Sequence, residues 1–485
     1  MRLEDKINKA YNEKVTEPNN YQELEDKIGV KKTHHYLFQS LKITGIVAAS
    51  MIGFIILAAA GVVLAASIHV HDDGVKSLRK TKFTVYDTNL VKSETFKALN
   101  TITYNEQKEN NPINAHFIDD VNGFANNSFS YFNKENNLAY SPLMLYSQLD
   151  LISLAASDDE TKVQFDQVLN NNDKDLRADN IAAAMKNNFF VDATSQSTVQ
   201  TKNAVFIENT LGANQNFVDG LTRRNAEAYS LHFQNDKDVN KVIEWANKSV
   251  NEDGFLNKND LEIQDDSALL FLSSLYFNNS WSSKFKTEDT NVDNFYLSKD
   301  ETIQTKFMNH LYYGKIAVYE KYVAVTDYYN DAYSIQYFVP NDVKDNIFDV
   351  LPNNFLSIGN DANETMISLS LPKFQITSSC DLGNIVQQMG LTNPYVKLSN
   401  HLKNAFEEPE IIEYSYLTYT KQKTSVAFNE DGTVIKSITM SMGAAGTAAP
   451  MKNGYKVDLN QPFVYCIRDS SGLPLLVGTI VNPSK

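Results

Sequence analysis

A run of small residues lies near the C-terminus, between segments whose composition favours β-strands. The run is Ser441–Ala449, and the strand pattern Ser425–Phe428 leads towards it through Asn429–Thr433. Two further strand patterns, Gln461–Asp469 and Pro474–Pro483, follow the run and close the chain. Loops longer than about a dozen residues inside compact domains are usually functional or disordered. The fold must therefore let a long connection leave one strand and return to a C-terminal strand pair.

Helical and strand patterns are unevenly distributed along the rest of the chain. Helical patterns dominate from Ile113 to about residue 250, beginning with an amphipathic stripe of Phe117, Val121 and Phe124. Strand patterns follow at Ala268–Phe277, Tyr322–Thr326, Ala332–Val339, Thr365–Phe374 and Thr418–Phe428. Helices first and strands later predict an α+β domain and not a repeating βαβ sheet.

Several short motifs in this region occur in an order that is similar to one protein family. They are Asn137–Leu143, Ala155–Thr161, Asn203–Phe206, Trp245, Leu269–Trp281, Leu371–Phe374 and Met389–Leu391. Together with the C-terminal loop they resemble the serpin family of serine protease inhibitors. The resemblance implies a serpin-like α+β fold, with helices packed on large β-sheets and an exposed reactive-centre loop.

The resemblance also implies a mechanism, suicide inhibition of serine or sometimes cysteine proteases. The protease cleaves the exposed loop, which then inserts as a new strand into the central sheet and traps the acyl-enzyme. The hinge residues implied are Glu430, Gly432, Thr433, Ile435, Ser437 and Thr439. Inhibitory members usually carry alanines after the hinge, whereas Ile435–Ile438 stands here. An inward isoleucine slows insertion by overpacking, and β-branched residues favour the strand once it has formed.

Counting along the family pattern from Glu430 places the scissile bond at Gly446–Thr447. Alternative positions within three residues involve Ala444, Ala445 and Ala448. Because these side chains are all small, the expected target is an elastase-like or subtilisin-like protease with a shallow specificity pocket. The alternative is a flexible Gly/Ala loop that has no dedicated target.

The family resemblance assigns the sheet-opening region to Ser141, Ser273, Trp281 and Gln422. Ser273 stands where the family has asparagine, and Gln422 stands where it has histidine. A hydroxyl and an amide can still form a hydrogen bond, so the expected polar contact is rebuilt with other groups. The alternative is that both positions have relaxed because sheet opening is no longer selected.

An uncharged apolar segment, residues 43–68, lies near the N-terminus. As a helix its 26 residues would be roughly 39 Å long, which is enough to cross a 30 Å hydrocarbon core. It is apolar on all sides, as a membrane span is and an amphipathic core helix is not. A cleaved signal peptide, cut near Leu64–Ala66, is the alternative.

The span divides the chain into a tail (1–42), a transmembrane helix (43–68), a spacer or extra helix (69–112) and a serpin-like domain (113–485). Lysine and arginine residues near the two ends of the span are equal in number, so the positive-inside rule does not decide its orientation. The family resemblance favours a cytoplasmic tail and an extracellular domain on a single-pass protein of the cell membrane. The expected partners are a target protease and the lipid bilayer.

Composition and motifs exclude several other function classes. A net charge of −15 argues against a nucleic-acid partner, which would need clustered lysine and arginine. The two cysteines, Cys380 and Cys466, are expected to be buried thiols, because two are too few for a disulfide framework. No nucleophile elbow, zinc-protease helix or phosphate loop is present, so no enzyme, cofactor or metal site is expected. The competing hypothesis is a non-inhibitory binding or interaction module at the cell surface.

Overall fold

The computed structural model describes residues 95–343, 345–357, 362–435 and 454–485. The N-terminal tail and the predicted span 43–68 lie outside these residues, so both stay predictions. Within the described ranges, no helix combines the length and the apolar character needed to cross a membrane.

The helices mostly precede the long strands, as the sequence patterns predict. They are α1 (Ala115–Ser130), α2 (Pro142–Ser153), α3 (Asp159–Val168), α4 (Lys174–Asn187), α5 (Gln215–Arg223), α6 (Asp236–Ser249), α7 (Ile347–Val350) and α8 (Leu382–Gln388). Side-chain caps begin several of them. Helix α2 starts at Pro142, which suits the first helical position, and Ser141 accepts a hydrogen bond from the Met144 amide at 3.3 Å.

The central sheet contains strands from both halves of the described chain. Its members are β1 (Lys97–Ala98), β3 (Phe189–Asp192), β4 (Ser197–Glu208), β5 (Ala226–Leu231), β6 (Leu269–Ser280), β12 (Phe374–Asp381), β13 (Lys421–Phe428) and β14 (Gly432–Ile435). The strand order is β1-β5-β4-β6-β14-β13-β12, with β3 paired to β4. All neighbours are antiparallel except β4 and β5. Strands β3–β5 lie between helices α4 and α6, and β4 is 12 residues long, so the mainly helical part of the chain also contributes strands to the central sheet.

A second sheet packs behind the first. It contains β2 (Leu138–Tyr140), β7 (Asn291–Tyr296), β8 (Thr302–Val318), β9 (Tyr322–Tyr328), β10 (Ser334–Pro340), β11 (Asn363–Pro372), β15 (Tyr455–Asp458), β16 (Phe463–Arg468) and β17 (Pro474–Ile480). The order is β15-β11-β8-β9-β10-β16-β17-β2, with β7 on β8. The predicted C-terminal strand pair is β16 and β17, which pair antiparallel.

The chain passes from one sheet to the other at Lys373. The segment Thr365–Phe374, predicted as one strand, is in fact the end of β11 in the second sheet and the first residue of β12 in the central sheet. The Lys373 amide still bonds to the Lys306 carbonyl at 2.8 Å. Lys373 is therefore the single residue that connects a strand of the second sheet to a strand of the central sheet.

The folded unit begins earlier than the boundary predicted at residue 113. Residues 95–112, assigned to the spacer, lie along the edge of the central sheet, where β1 pairs with β5. The Thr95 hydroxyl donates to Asp238 at 2.6 Å, and the Phe96 ring packs 4.8 Å from that of Tyr229. This segment pairs the edge of β5 and shields it from other chains.

The hydrophobic core lies between the two sheets and beneath the helices. A smaller apolar cluster, including Phe206, Leu231 and Val242, fills the space between α6 and the central sheet. Both cysteines are buried free thiols, as expected. Cys380 belongs to β12, one residue before the cap of α8, and Cys466 belongs to β16.

Candidate functional site

The first residues of the predicted hinge, Gly432–Ile435, are already part of the central sheet. Strand β14 lies between β6 and β13, with Gly432 opposite Ser280 and Ile435 opposite Phe277 on β6. On the other side, Val434 pairs with Ala427 of β13. The first four residues after the β13–β14 turn therefore occupy a place in the sheet.

Thr433 anchors this short strand. Its side chain is fully buried, and its hydroxyl lies 2.5 Å from the Tyr329 hydroxyl. Burial raises the pKa of Tyr329 well above its usual value, so this phenol stays protonated. A hydroxyl can both donate and accept a hydrogen bond, so these two buried groups serve as partners for each other. Either one without the other would be a buried polar group with no hydrogen bond.

Trp281 packs at the end of β6, next to the turn that precedes β14. Its indole stacks on the Tyr329 ring at 4.4 Å between centroids. The indole N–H donates to the Asn429 carbonyl at 2.9 Å, and its backbone N–H donates to the Asp431 carbonyl at 3.0 Å. Trp281 thus holds the turn that precedes β14 from both its side chain and its backbone.

Glu430 fixes the turn on its other side. Its carboxylate accepts hydrogen bonds from Lys373 at 2.7 Å and from the Thr290 hydroxyl at 3.0 Å, and its carbonyl accepts from the Phe285 amide at 3.2 Å. Burial opposes ionisation here, but these hydrogen bonds and the Lys373 charge outweigh it and lower the pKa of Glu430. The hinge therefore starts from an ionised, anchored carboxylate.

Gly432 is needed because neighbouring backbone comes very close. A β-carbon at this position would lie 2.1 Å from the Asn279 carbonyl oxygen and 2.8 Å from the Ser280 α-carbon. No side chain fits there while β14 remains in the sheet. Close approach of the neighbouring backbone thus gives a structural reason for glycine at this hinge position.

Beyond the hinge, β6 and β13 are separated. Within the described ranges, neither strand pairs with the other, and β14 joins them only at one end. A cavity of about 420 Å³ lies between Leu269–Leu272 of β6 and Tyr419–Lys423. A second, of about 140 Å³, continues it beside Ser273 and Thr424 under Trp245. The central sheet is thus an incomplete sheet with room along its middle.

The predicted sheet-opening residues lie near the middle of this gap. Gln422 and Ser141 are on one side of it, and Ser273 is on the other. The Gln422 side chain accepts from the Ser141 amide at 2.6 Å. Ser273 instead donates to Asn203 at 2.7 Å, and Asn203 donates to Ser147 at 2.8 Å. The expected hydroxyl–amide contact between Ser273 and Gln422 is therefore not formed, because the open gap lies between their strands.

Three residues that the structure places at this site had no role assigned to them from the sequence. Asn203 and Lys373 lie inside motifs that carried the family resemblance, but no pattern indicated what their side chains contact. Tyr329 lies in an aromatic run with no helical or strand period, and only the fold brings it to Thr433. Of the predicted loop residues, Ser437, Thr439, Ala444, Ala445, Gly446, Thr447 and Ala448 lie outside the described residues.

Comparison with known proteins gives one consistent result. The family model described as "Serpin (serine protease inhibitor)" matches residues 119–483. Serpin-Z4 of Hordeum vulgare is 25% identical, covering 72% of this chain and 90% of its own length. Alpha-1-antiproteinase 2 of Equus caballus is 23% identical, covering 72% of this chain and 82% of its own length.

Solved structures agree at the level of fold. The native state of the thermophilic serpin Tengpin matches with a TM-score of 0.65 at 20% identity, covering 80% of this chain and all of that one. Thyroxine-binding globulin in complex with thyroxine matches with a TM-score of 0.62 at 17% identity, covering 76% of this chain and all of that one.

Proposed function

The chain belongs to the serpin family, and we propose that it is a membrane-anchored suicide inhibitor of serine or cysteine proteases. In this proposal a protease cleaves the loop that follows β14. The freed segment then continues β14 into the gap between β6 and β13 and traps the acyl-enzyme. The protein acts as an inhibitor and not as an enzyme.

The observation that carries this proposal is the half-occupied gap. Strand β14 already has the orientation and register of an inserted strand, and the cavity ahead of it is lined by β6 and by the start of β13. A strand that entered there would gain hydrogen-bonding partners on both sides. Side chains on its inner face would be buried, which further stabilises the inserted state.

The register of β14 supports the choice of inserting residues. Continued at constant register, Thr439 would lie opposite Ser273 on one side and Gln422 on the other. A threonine hydroxyl at that place can bridge the two polar side chains that the gap now separates. The residue opposite the first residue of β6, Leu269, would be Gly443. Three residues then remain before the proposed scissile bond at Gly446–Thr447.

The small residues Ala444–Ala448 support an elastase-like or subtilisin-like target, with the bond at Gly446–Thr447 or within three residues of it. The uncharged segment 43–68 supports anchoring in a bilayer. The extracellular placement of the serpin domain is supported by the family resemblance alone. A tethered inhibitor would act only on proteases close to the cell surface.

The direct test is incubation of the full-length chain with an elastase-like and a trypsin-like protease, followed by a denaturing gel and intact-mass analysis. We expect a complex resistant to denaturant with the elastase-like enzyme, and cleavage within Ala444–Ala449. Cleavage outside that stretch, or plain cleavage with no complex, would contradict the proposal. Accessibility to protease in intact cells tests the extracellular placement separately.

A non-inhibitory binding module is the second candidate. It is favoured by Ile435–Ile438, which departs from the alanine-rich stretch of inhibitory members, and by the likeness of fold to a thyroxine-binding protein. Heating distinguishes the two candidates, because an inhibitory member gains much thermal stability when its loop is cut and inserted. An unchanged melting temperature after cleavage supports the binding module.

A further inference from the structure

A side chain of helix α2 bonds to the backbone of the central sheet at the open gap. Gln148 lines both of the cavities that lie between β6 and β13. Its side-chain Nε2 donates to the Phe271 carbonyl oxygen of β6 at 2.8 Å. A helix side chain therefore supplies a hydrogen-bond partner to a strand that has lost its neighbour at this point.

The Phe271 carbonyl points into the gap and not towards β4. Alternate residues of an antiparallel strand direct their N–H and C=O groups to one neighbour and then to the other. The Glu208 amide bonds to the Ala268 carbonyl at 2.9 Å, so even-numbered positions of β6 face β4. The Trp281 amide bonds to the Asp431 carbonyl at 3.0 Å, so odd-numbered positions face the side of β14. Phe271 is one of these odd-numbered positions.

A strand that continued β14 would need the same carbonyl oxygen. Gly432 lies opposite Ser280, so at constant register position 441 of an inserted strand would lie opposite Phe271. By the same alternation, the backbone N–H of that position would point at β6. The inserted strand and the Gln148 side chain would thus compete for one oxygen on one side of β6.

Helix α2 contacts strands on both sides of the gap, which places it across the gap from below. Ser147 accepts a hydrogen bond from the Asn203 side chain of β4 at 2.8 Å. The Ser141 amide, at the start of the helix, donates to the Gln422 side chain of β13 at 2.6 Å. Gln148 therefore extends from a helix that is held in place independently of the gap.

We propose that Gln148 is a positioning residue for loop insertion, which holds the Phe271 carbonyl in the empty gap and yields it to the backbone of the arriving strand. The proposal rests on the inhibitory function proposed above. Insertion at this position exchanges a side-chain donor for a backbone donor. The Gln148 amide thus stabilises the uncleaved chain, whereas the cleaved chain no longer uses it for this bond.

The test compares the melting temperatures of the uncleaved and the cleaved full-length chain in detergent. Each form is measured in a denaturant concentration that brings its transition into range, and intact mass confirms a cut within Ala444–Ala449. Gln148→Ala should lower the melting temperature of the uncleaved form by about 1–3 °C, because the Phe271 carbonyl loses its partner. In the cleaved form the backbone donor has replaced the side chain, so the melting temperature should match that of the wild type. Gln148→Met, which keeps the side-chain length and removes the donor, should behave in the same way.

Two further variants separate positioning from a merely structural role. Ser147→Ala is the matched control, because its bond to Asn203 does not involve the gap and its loss should lower both forms alike. Ser441→Pro removes the backbone N–H that would replace the Gln148 amide. In that background insertion stops short of Phe271, so Gln148→Ala should lower the melting temperature of the cleaved form as well.

Two results would overturn the proposal, and they differ in what they leave standing. If cleavage stabilises the wild type but Gln148→Ala lowers both forms equally, only the role of Gln148 is wrong. If cleavage does not stabilise the wild type, loop insertion fails and the role of Gln148 fails with it. A loss confined to the uncleaved form, and restored to the cleaved form by Ser441→Pro, supports the exchange of donors.

Discussion

Replacing Thr433 by arginine tests whether the hinge must be buried for inhibition. The Thr433 side chain is fully buried beside Tyr329. Of the carboxylates nearby, Glu430 is already paired with Lys373, and the fully buried Asp327 lies against the His310 ring. An arginine here would therefore place a cation in the sheet without a partner. We expect the variant to leave its hinge outside the sheet and to be cleaved as a substrate.

The size of the effect follows from the cost of a buried unpaired charge, which is roughly 3–5 kcal/mol. Each 1.36 kcal/mol added to a barrier slows the step about tenfold. If the hinge must enter before the rest of the loop, insertion slows by roughly two to four orders of magnitude. Hydrolysis of the acyl-enzyme is unaffected by the change, so nearly all molecules would be turned over.

The assay measures how many inhibitor molecules are consumed per protease molecule, alongside the gel-stable complex. The matched control is Val434→Arg, one residue further along, where the side chain is half-buried and points to the opposite face of the sheet. That control should still trap protease and should gain heat stability on cleavage. An unchanged yield of complex from Thr433→Arg would refute the requirement for a buried hinge.

Gly432→Ala should expel β14 from the uncleaved sheet, since its β-carbon would lie 2.1 Å from the Asn279 carbonyl oxygen, and faster exchange of the peptide 427–435 would report this. The pKa of Glu430 is lowered, so its ionised carboxylate stabilises β14 in the sheet at pH values above the ordinary pKa of a glutamate. That stabilisation is lost as the pH falls below about 4. Hinge exchange should therefore rise on acidification in the wild type but not in Glu430→Gln, and an equal rise in both would contradict the role of the Lys373 pair. Asp150→Asn breaks a buried network with two arginines and should cost roughly 3–5 kcal/mol of unfolding free energy, measured by urea denaturation.

The family fold could be predicted because its signals are local and ordered. The predicted segments Ala268–Phe277 and Thr418–Phe428 became β6 and β13, the first from an apolar run of leucine and aromatic residues and the second from threonine, valine and aromatic residues that favour strands. The glycine and threonine of the hinge were also assigned from the family pattern. Each of these features depends on neighbouring residues or on a short motif.

What the sequence patterns missed depends on contacts between distant parts of the chain. Strand β1 has two residues, too few for any periodicity, and exists only because β5 offers an unpaired edge. Tyr329 meets Thr433 across 104 positions, and no local pattern relates them. The expected contact between Ser273 and Gln422 failed for the same kind of reason, because sequence patterns do not show whether two strands are joined or held apart.

The register of the short strand β14 also determines which face of the sheet each later loop residue would occupy after insertion. Successive residues of a strand face opposite sides of the sheet, so Thr433 in the core determines which later residues would also face inward. One residue added between Ile435 and Thr439 would exchange the two faces for every later residue and would move Thr439 away from Ser273 in the proposed inserted strand. Two added residues would keep the alternation. If the proposed insertion takes place, the loop before the scissile bond can change length only by even numbers of residues without exchanging the two faces, whereas the loop after that bond has no such requirement.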